Sequence, residues 1–189
     1  MASKRKISNI TLIGFMGTGK SSVGRRVAKI LGFRFIDTDQ EIEARVGKPI
    51  ARIFSDHGEE YFRKLEADVV QHLSKLENTV IATGGGLGAN LKNLESLKTH
   101  SLVICLWASP KTIWERVRHN QNRPLLQVAD PIEKIRSLLA ERKPVYKKAD
   151  VMINSELRTL PQVVQQVVYH FKLVTNSDFS KQNKIGSQN

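Results

Sequence analysis

Between Gly14 and Ser21 the chain reads GFMGTGKS, which satisfies the spacing G-x-x-x-x-G-K-[ST], and no other stretch restricts its fold as strongly. Ile10, Thr11, Leu12 and Ile13 before it have the character of a short buried strand. Behind it Val23, Val27, Ile30 and Leu31 recur at helical spacing, and Gly32 follows as a C-cap. Strand, glycine loop and helix in that order have a physical use. Glycines let successive backbone N–H groups curl around an anion, and the helix N-terminus adds its partial positive charge. Lys20 then reaches the outer phosphates, and the Ser21 hydroxyl ligates Mg²⁺. The implied ligand is a nucleoside triphosphate; the alternative is a glycine turn that only joins strand to helix.

The rest of the chain continues the alternation. Phe33 to Ile36, Thr79 to Ala82, Leu102 to Trp107 and Val151 to Ile153 are short and apolar or β-branched, with helical patterns between them. That predicts an α/β fold, a parallel sheet covered by helices on both faces. Helix starts are marked by Ser109 before Pro110, Asp130 before Pro131, and Thr159 ahead of Leu160 and Pro161. A chain of 189 residues is expected to hold one core, which is placed in residues 1–174. From about Thr175 the chain turns polar, and 175–189 are expected to form a disordered tail. The polar segment from Arg118 to Asp130 has no helical period and reads either as a lid or as an ordinary surface loop.

The single cysteine, Cys105, lies inside an apolar run, so neither a disulfide framework nor a thiolate metal site is expected. A reduced, cytoplasmic setting is the default. Lys4, Arg5 and Lys6 ahead of an apolar segment imitate a secretory signal, but Asn9 and Thr11 interrupt that segment and no small-residue cleavage site follows. No apolar run is long enough to span a bilayer. The formal net charge of +12 points to an anionic partner without saying whether it is nucleic acid, a membrane or small substrates.

Four further groups of residues can carry chemistry. Asp37-Thr38-Asp39 follows the second strand, at the edge where open α/β sheets bind ligands. Alternation along an extended chain points both carboxylates to one side, one toward Mg²⁺ and its water, the other toward a substrate hydroxyl. Equally, Asp39 only caps the helix through Ile42 and Val46. Arg63 and Glu66 are neighbours on a helix marked by Phe62, Leu65, Val69 and Leu73. They form either a solvated pair or a fixed guanidinium that grips a substrate carboxylate. Gly84-Gly85-Gly86 needs a reason, because each glycine loses more backbone freedom on folding than other residues. The choice is a flexible loop or a ligand approaching too closely for side chains. The same stretch fits G-x-G-x-x-A through Ala89, but no acidic residue near the end of the following strand holds a ribose, which argues against a dinucleotide. Arg123, in Arg123-Pro124-Leu125-Leu126, suits an arginine that covers a transferring phosphoryl group, and Arg142 is either a second site arginine or solvated.

Taken in order, GFMGTGKS, the Asp37 and Asp39 pair, Phe62-Arg63 with Glu66, Gly84-Gly85-Gly86, Arg123-Pro124-Leu125-Leu126 and Arg142 before Tyr146 resemble the motifs of the shikimate kinases, over roughly Ile10 to Phe171. The resemblance implies a three-layer P-loop fold of the nucleoside monophosphate kinase type, with a five-stranded parallel sheet. It implies a substrate-binding region at about 37–66 and a lid at about 116–130. The implied reaction is transfer of the ATP γ-phosphoryl group to the 3-hydroxyl of shikimate, on the route to aromatic amino acids, with Mg²⁺ as cofactor. Residue by residue, Lys20 and the loop around Gly17, Thr18, Gly19 and Ser22 would bind phosphates. Ser21 and Asp37 would serve the metal, and Asp39 would bind or activate the hydroxyl. Arg63, Arg142 and the backbone of Gly84, Gly85 and Gly86 would hold shikimate. Arg123 would reach ATP from the lid, and Arg116 would stack on adenine. A cytoplasmic monomer is expected, with ATP and shikimate as its partners.

Two other classes compete. One is a related kinase acting on gluconate or a nucleotide. The other is a P-loop nucleic-acid binder or switch, against which stand the lack of N-K-x-D and D-x-x-G, and an aromatic content of only 6% with no basic run interleaved.

Overall fold

All five apolar runs become strands of one parallel sheet: β1 (Asn9–Ile13), β2 (Arg34–Asp37), β3 (Thr79–Ala82), β4 (Ser101–Trp107) and β5 (Val151–Asn154). The computed structural model describes residues 5–119, 126 and 128–185, with 176–185 as backbone alone. Strand order is β2-β3-β1-β4-β5, and Leu12 at the centre pairs with Ala82 on one side and Ile104 on the other. β1 and β3 are buried throughout, which is why they read as continuous apolar runs, whereas the edge strands β2 and β5 keep exposed positions.

Seven helices among the described residues cover the sheet: α1 (Lys20–Leu31), α2 (Thr38–Val46), α3 (Ile50–Leu73), α4 (Leu91–His100), α5 (Pro110–Val117), α6 (Pro131–Tyr146) and α7 (Leu160–Ile185). Strand alternation divides the core in two. Ile10, Leu12 and Ile104 face α1 and α7, where they meet Val23, Val27, Val163 and Val167. Ile13, Val103 and Cys105 face the opposite layer and meet Phe62, Leu73, Leu97 and Ile135. Each such fully buried side chain contributes about 1.5–3 kcal/mol relative to exposure. Burial also pushes the Cys105 thiol up to about 12, which leaves it without thiolate character at neutral pH.

The polar residues that interrupt β1 are paired within the core. Asn9 accepts the Thr79 N–H at 2.9 Å and donates to the Leu76 carbonyl at 2.6 Å, and Thr11 and Ser101 share a hydroxyl bond at 2.8 Å. Caps fall where expected: Ser109 accepts from the Thr112 N–H, Asp130 from the Glu133 N–H, and Gly32 closes α1 at φ 68°.

Three boundaries differ from expectation. Thr38 already begins α2, so Asp39 does not lie on extended chain. Gly58, at φ 78° and ψ 179°, breaks α3 into two helical halves, which the apolar periodicity around it does not reveal. The backbone of α7 is helical to Ile185, past the boundary expected near Thr175. No glycine or proline occurs between Pro161 and Gly186, so the local sequence contains no helix breaker over that span. Among the described residues no helix is long and apolar enough to cross a membrane.

Candidate active site

In this strand order the chain leaves β1 toward β2 and leaves β3 toward β4 in opposite directions across the sheet, so β1 and β3 flank a switch point. Ligands of open α/β sheets bind in the crevice such a divergence opens. Both glycine loops start there, one after β1 and one after β3. Between them lies a cleft of about 650 Å³ whose walls include Gly17, Lys20, Ser21, Asp37, Asp39 and Gly84.

Residues Gly14, Gly17 and Gly19 all have positive φ, and a Cβ on Gly14 would run into the Leu106 carbonyl oxygen of β4. The loop is therefore turned tightly against the sheet, with α1 opening at Lys20. Thr18 Oγ1 donates to the Phe15 carbonyl at 2.8 Å and holds the turn from within. Lys20 is 8% exposed, and its Nζ donates to the Gly14 and Phe15 carbonyls at 2.9 Å each.

Asp37 and Asp39 both reach the cleft, for a different reason from the one expected. Asp37 is the N-cap of α2 and accepts the Asp39 N–H at 3.2 Å, while Ser21 Oγ donates to Asp37 Oδ2 at 2.7 Å. The pair is thus placed by a strand-to-helix corner and not by β alternation. Between them, buried Thr38 turns inward, and its Oγ1 accepts the Gly84 N–H at 2.8 Å. This hydroxyl ties the acid corner to the second glycine loop.

Side chains of the site crowd that second loop, and a Cβ there would displace them. A Cβ on Gly84 would collide with the Asp39 carboxylate and one on Gly86 with the Arg63 guanidinium, while one on Gly85 would stand 3.4 Å from Arg142 Nη1. Three successive glycines therefore each face a side chain singled out in sequence: Asp39, Arg142 and Arg63. Arg142 Nη1 also donates to the Gly85 carbonyl at 3.3 Å, and its guanidinium lies 5.2 Å from the centre of the Phe15 ring. Arg63, Gly86 and Arg142 are not in the lining of the large cleft; they stand against the same glycine run whose first two residues are.

Glu66 decides how Arg63 is presented. It is 1% exposed and accepts from Arg63 Nη1 at 2.7 Å, so the Glu66 end of the pair is buried while Arg63 itself stays 39% exposed. Burial pushes its carboxyl above the ordinary range, against the opposing pull of Arg63 and the Leu87 N–H. Arg116, at the end of α5, bonds the Gly17 carbonyl at 3.3 Å, Ser155 Oγ at 3.2 Å and the Ser155 carbonyl at 2.8 Å. It joins the phosphate loop to the loop after β5. Arg123 lies outside the described residues.

Sequence reasoning missed Thr38, Ser155 and Arg158. Thr38 carried a signal, a small hydroxyl residue between two acids at a strand end. Ser155 and Arg158 carried none, because they reach the cleft only when β5 is placed beside β4. Among the described residues no cluster of histidine, cysteine or acidic side chains forms a metal cage.

Two glycine loops at one switch point, one shaped for phosphates and the other backed by guanidinium groups, define a P-loop small-molecule kinase. The comparisons narrow the class. A family model described as shikimate kinase matches residues 16–172. Shikimate kinase of Thermodesulfovibrio yellowstonii is 44% identical over 90% of this chain and 98% of its own length. That of Caldanaerobacter subterraneus subsp. tengcongensis is 47% identical over 86% of this chain and 95% of its own. The solved structure of shikimate kinase from Acinetobacter baumannii in complex with shikimate aligns with a TM-score of 0.82 at 36% identity, over 92% of this chain and 96% of that one. The chain belongs to the shikimate kinase family.

Proposed function

We propose that the chain transfers the γ-phosphoryl group of ATP to the 3-hydroxyl of shikimate, giving shikimate 3-phosphate and ADP. The observation that carries this reading is the stacking of Asp39, Arg142 and Arg63 against successive glycines beside the phosphate loop. An acid that takes a hydroxyl's hydrogen bond and two cations that take a carboxylate match the two ends of a hydroxylated ring acid. In the reaction the acceptor oxygen bonds to the γ-phosphorus, the bond from that phosphorus to the β,γ-bridging oxygen breaks, ADP leaves, and the hydroxyl proton is released.

Phosphoryl transfer asks a protein mainly for positioning and charge neutralisation. Lys20 and the amides of Gly17, Thr18, Gly19 and Ser22 hold the phosphates, Asp39 accepts the hydrogen bond of the attacking hydroxyl, and Arg63 and Arg142 bind the carboxylate. Gly84, Gly85 and Gly86 form the wall on which the ring rests. Arg116 lies along the adenine side of the cleft, and Arg123 is assigned to the lid over the phosphates. Ser21 Oγ and Asp37 Oδ2, 2.7 Å apart at the mouth of the loop, are the hard oxygen donors that suit Mg²⁺. An ion held there would supply positive charge against the triphosphate during transfer. We place this activity in a cytoplasmic monomer.

An ADP-release assay with a panel of acceptors tests the reading. Release should require shikimate and Mg²⁺ and be little stimulated by gluconate, nucleoside monophosphates or polynucleotides. Stimulation by one of these in place of shikimate overturns it.

A further inference from the structure

Arg63 is held by two carboxylates of different kinds. Glu66, 1% exposed, takes Nη1 at 2.7 Å, with the Leu87 N–H also favouring its charge. Glu59 is 67% exposed, and one of its oxygens accepts from both Nε at 3.2 Å and Nη2 at 2.7 Å. The two bonds differ in what it costs to break them. Releasing buried Glu66 would strand a desolvated charge, whereas Glu59 returns to water at the small cost of an exposed ion pair.

Nε and Nη2 form one planar edge of the guanidinium, a pair of parallel donors that matches a carboxylate. Nη1 is committed to Glu66 and lies against Gly86. A carboxylate arriving at Arg63 therefore meets the edge that Glu59 already fills. Glu59 reaches it because it stands four residues before Arg63 on the same helical face, just after the break at Gly58.

Resting on the shikimate reading above, we infer that Glu59 is a specificity-determining residue, an internal carboxylate that competes with the acceptor's carboxylate for the Nε–Nη2 edge of Arg63. An acceptor with a full negative charge and two oxygens displaces it. One with a neutral group in that place does not. Glu59 thereby weakens shikimate binding slightly and rejects uncharged look-alikes.

The experiment compares wild type, Glu59→Gln, Glu59→Ala and Glu60→Gln in steady-state assays with shikimate and with its carboxamide analogue. Glu60 is the control, because it pairs with Lys64 and is 86% exposed, so its loss removes the same charge one residue away without touching Arg63. Both Glu59 variants should lower the KM for shikimate roughly two- to five-fold, the range of an exposed ion pair, and that for the carboxamide by a larger factor, so that discrimination between the two narrows. Glu60→Gln should leave the shikimate KM in place. An unchanged or raised shikimate KM in the Glu59 variants overturns the inference, as does an equal fall in Glu60→Gln. A wild-type chain inert toward shikimate removes the functional reading beneath it; a wild type that turns shikimate over with no gain in Glu59→Gln removes this inference alone.

Discussion

A methyl group on Gly84 would enter the space of the Asp39 carboxylate, and one on Gly86 that of the Arg63 guanidinium, whereas at Gly85 it would meet Arg142 at ordinary van der Waals distance. The three alanine variants should therefore differ. Gly84→Ala and Gly86→Ala should lower kcat/KM for shikimate at least about tenfold, near 1.4 kcal/mol, with Gly85→Ala several-fold milder. Equal losses at all three in a steady-state assay would refute the steric account. Thr38 offers a second test at this scale. Thr38→Val keeps its shape but strands the buried Gly84 N–H, which costs about 1–3 kcal/mol of stability. The same variant should raise the KM for shikimate more than that for ATP, and Thr38→Ser should restore both values. Denaturant titration and kinetics on the three proteins check it.

Elements explain why some of this was legible in sequence and some was not. The phosphate loop, the five strands and the caps at Ser109 and Asp130 rest on local physics, periodicity and turn chemistry, and so appear in a linear reading. The convergence of Asp39, Arg63 and Arg142 on one glycine run was read through family likeness and motif order; no local rule brings α2, α3 and α6 together. The break in α3 shows the limit of periodicity most clearly. Phe62, Leu65, Val69 and Leu73 mark one helix correctly, yet the same pattern continues across Gly58 without a trace of the positive φ there. That glycine sits in a region of backbone space almost closed to other residues. Since a Cβ at Gly58 meets nothing within 4 Å, Gly58→Ala should cost stability through backbone strain alone, about 1–3 kcal/mol. A Tm unchanged by the substitution would show that the break is not required.

At the scale of the molecule, the end of the sheet opposite the cleft is fastened by Asp150. It accepts two bonds from Arg5, at 2.8 and 3.0 Å, pairs with Lys98 at 2.9 Å and takes the Val103 N–H at 2.9 Å. Burial alone would raise its carboxyl, but the Arg5, Val103 and Lys98 bonds outweigh burial and hold it below the usual 3.8. A lowered folded-state value contributes stability that is present above the unfolded value and lost as pH falls through the folded one. Asp150→Asn should therefore cost roughly 1.5–3 kcal/mol at neutral pH, below the figure for a fully buried pair because the Arg5 side chain is 36% exposed. The gap from wild type should shrink as pH falls below about 3.8. A gap independent of pH in denaturation curves would mean that charge is not the cause. Finally, α1 and α7 rest on one hydrophobic cluster, while the helices bearing Asp39, Arg63 and Arg142 rest on the other, across the sheet. On the proposed roles, the hold on the triphosphate and the choice of acceptor would thus be anchored in different layers, so that substitutions in one could retune what is phosphorylated without disturbing the source of the phosphate.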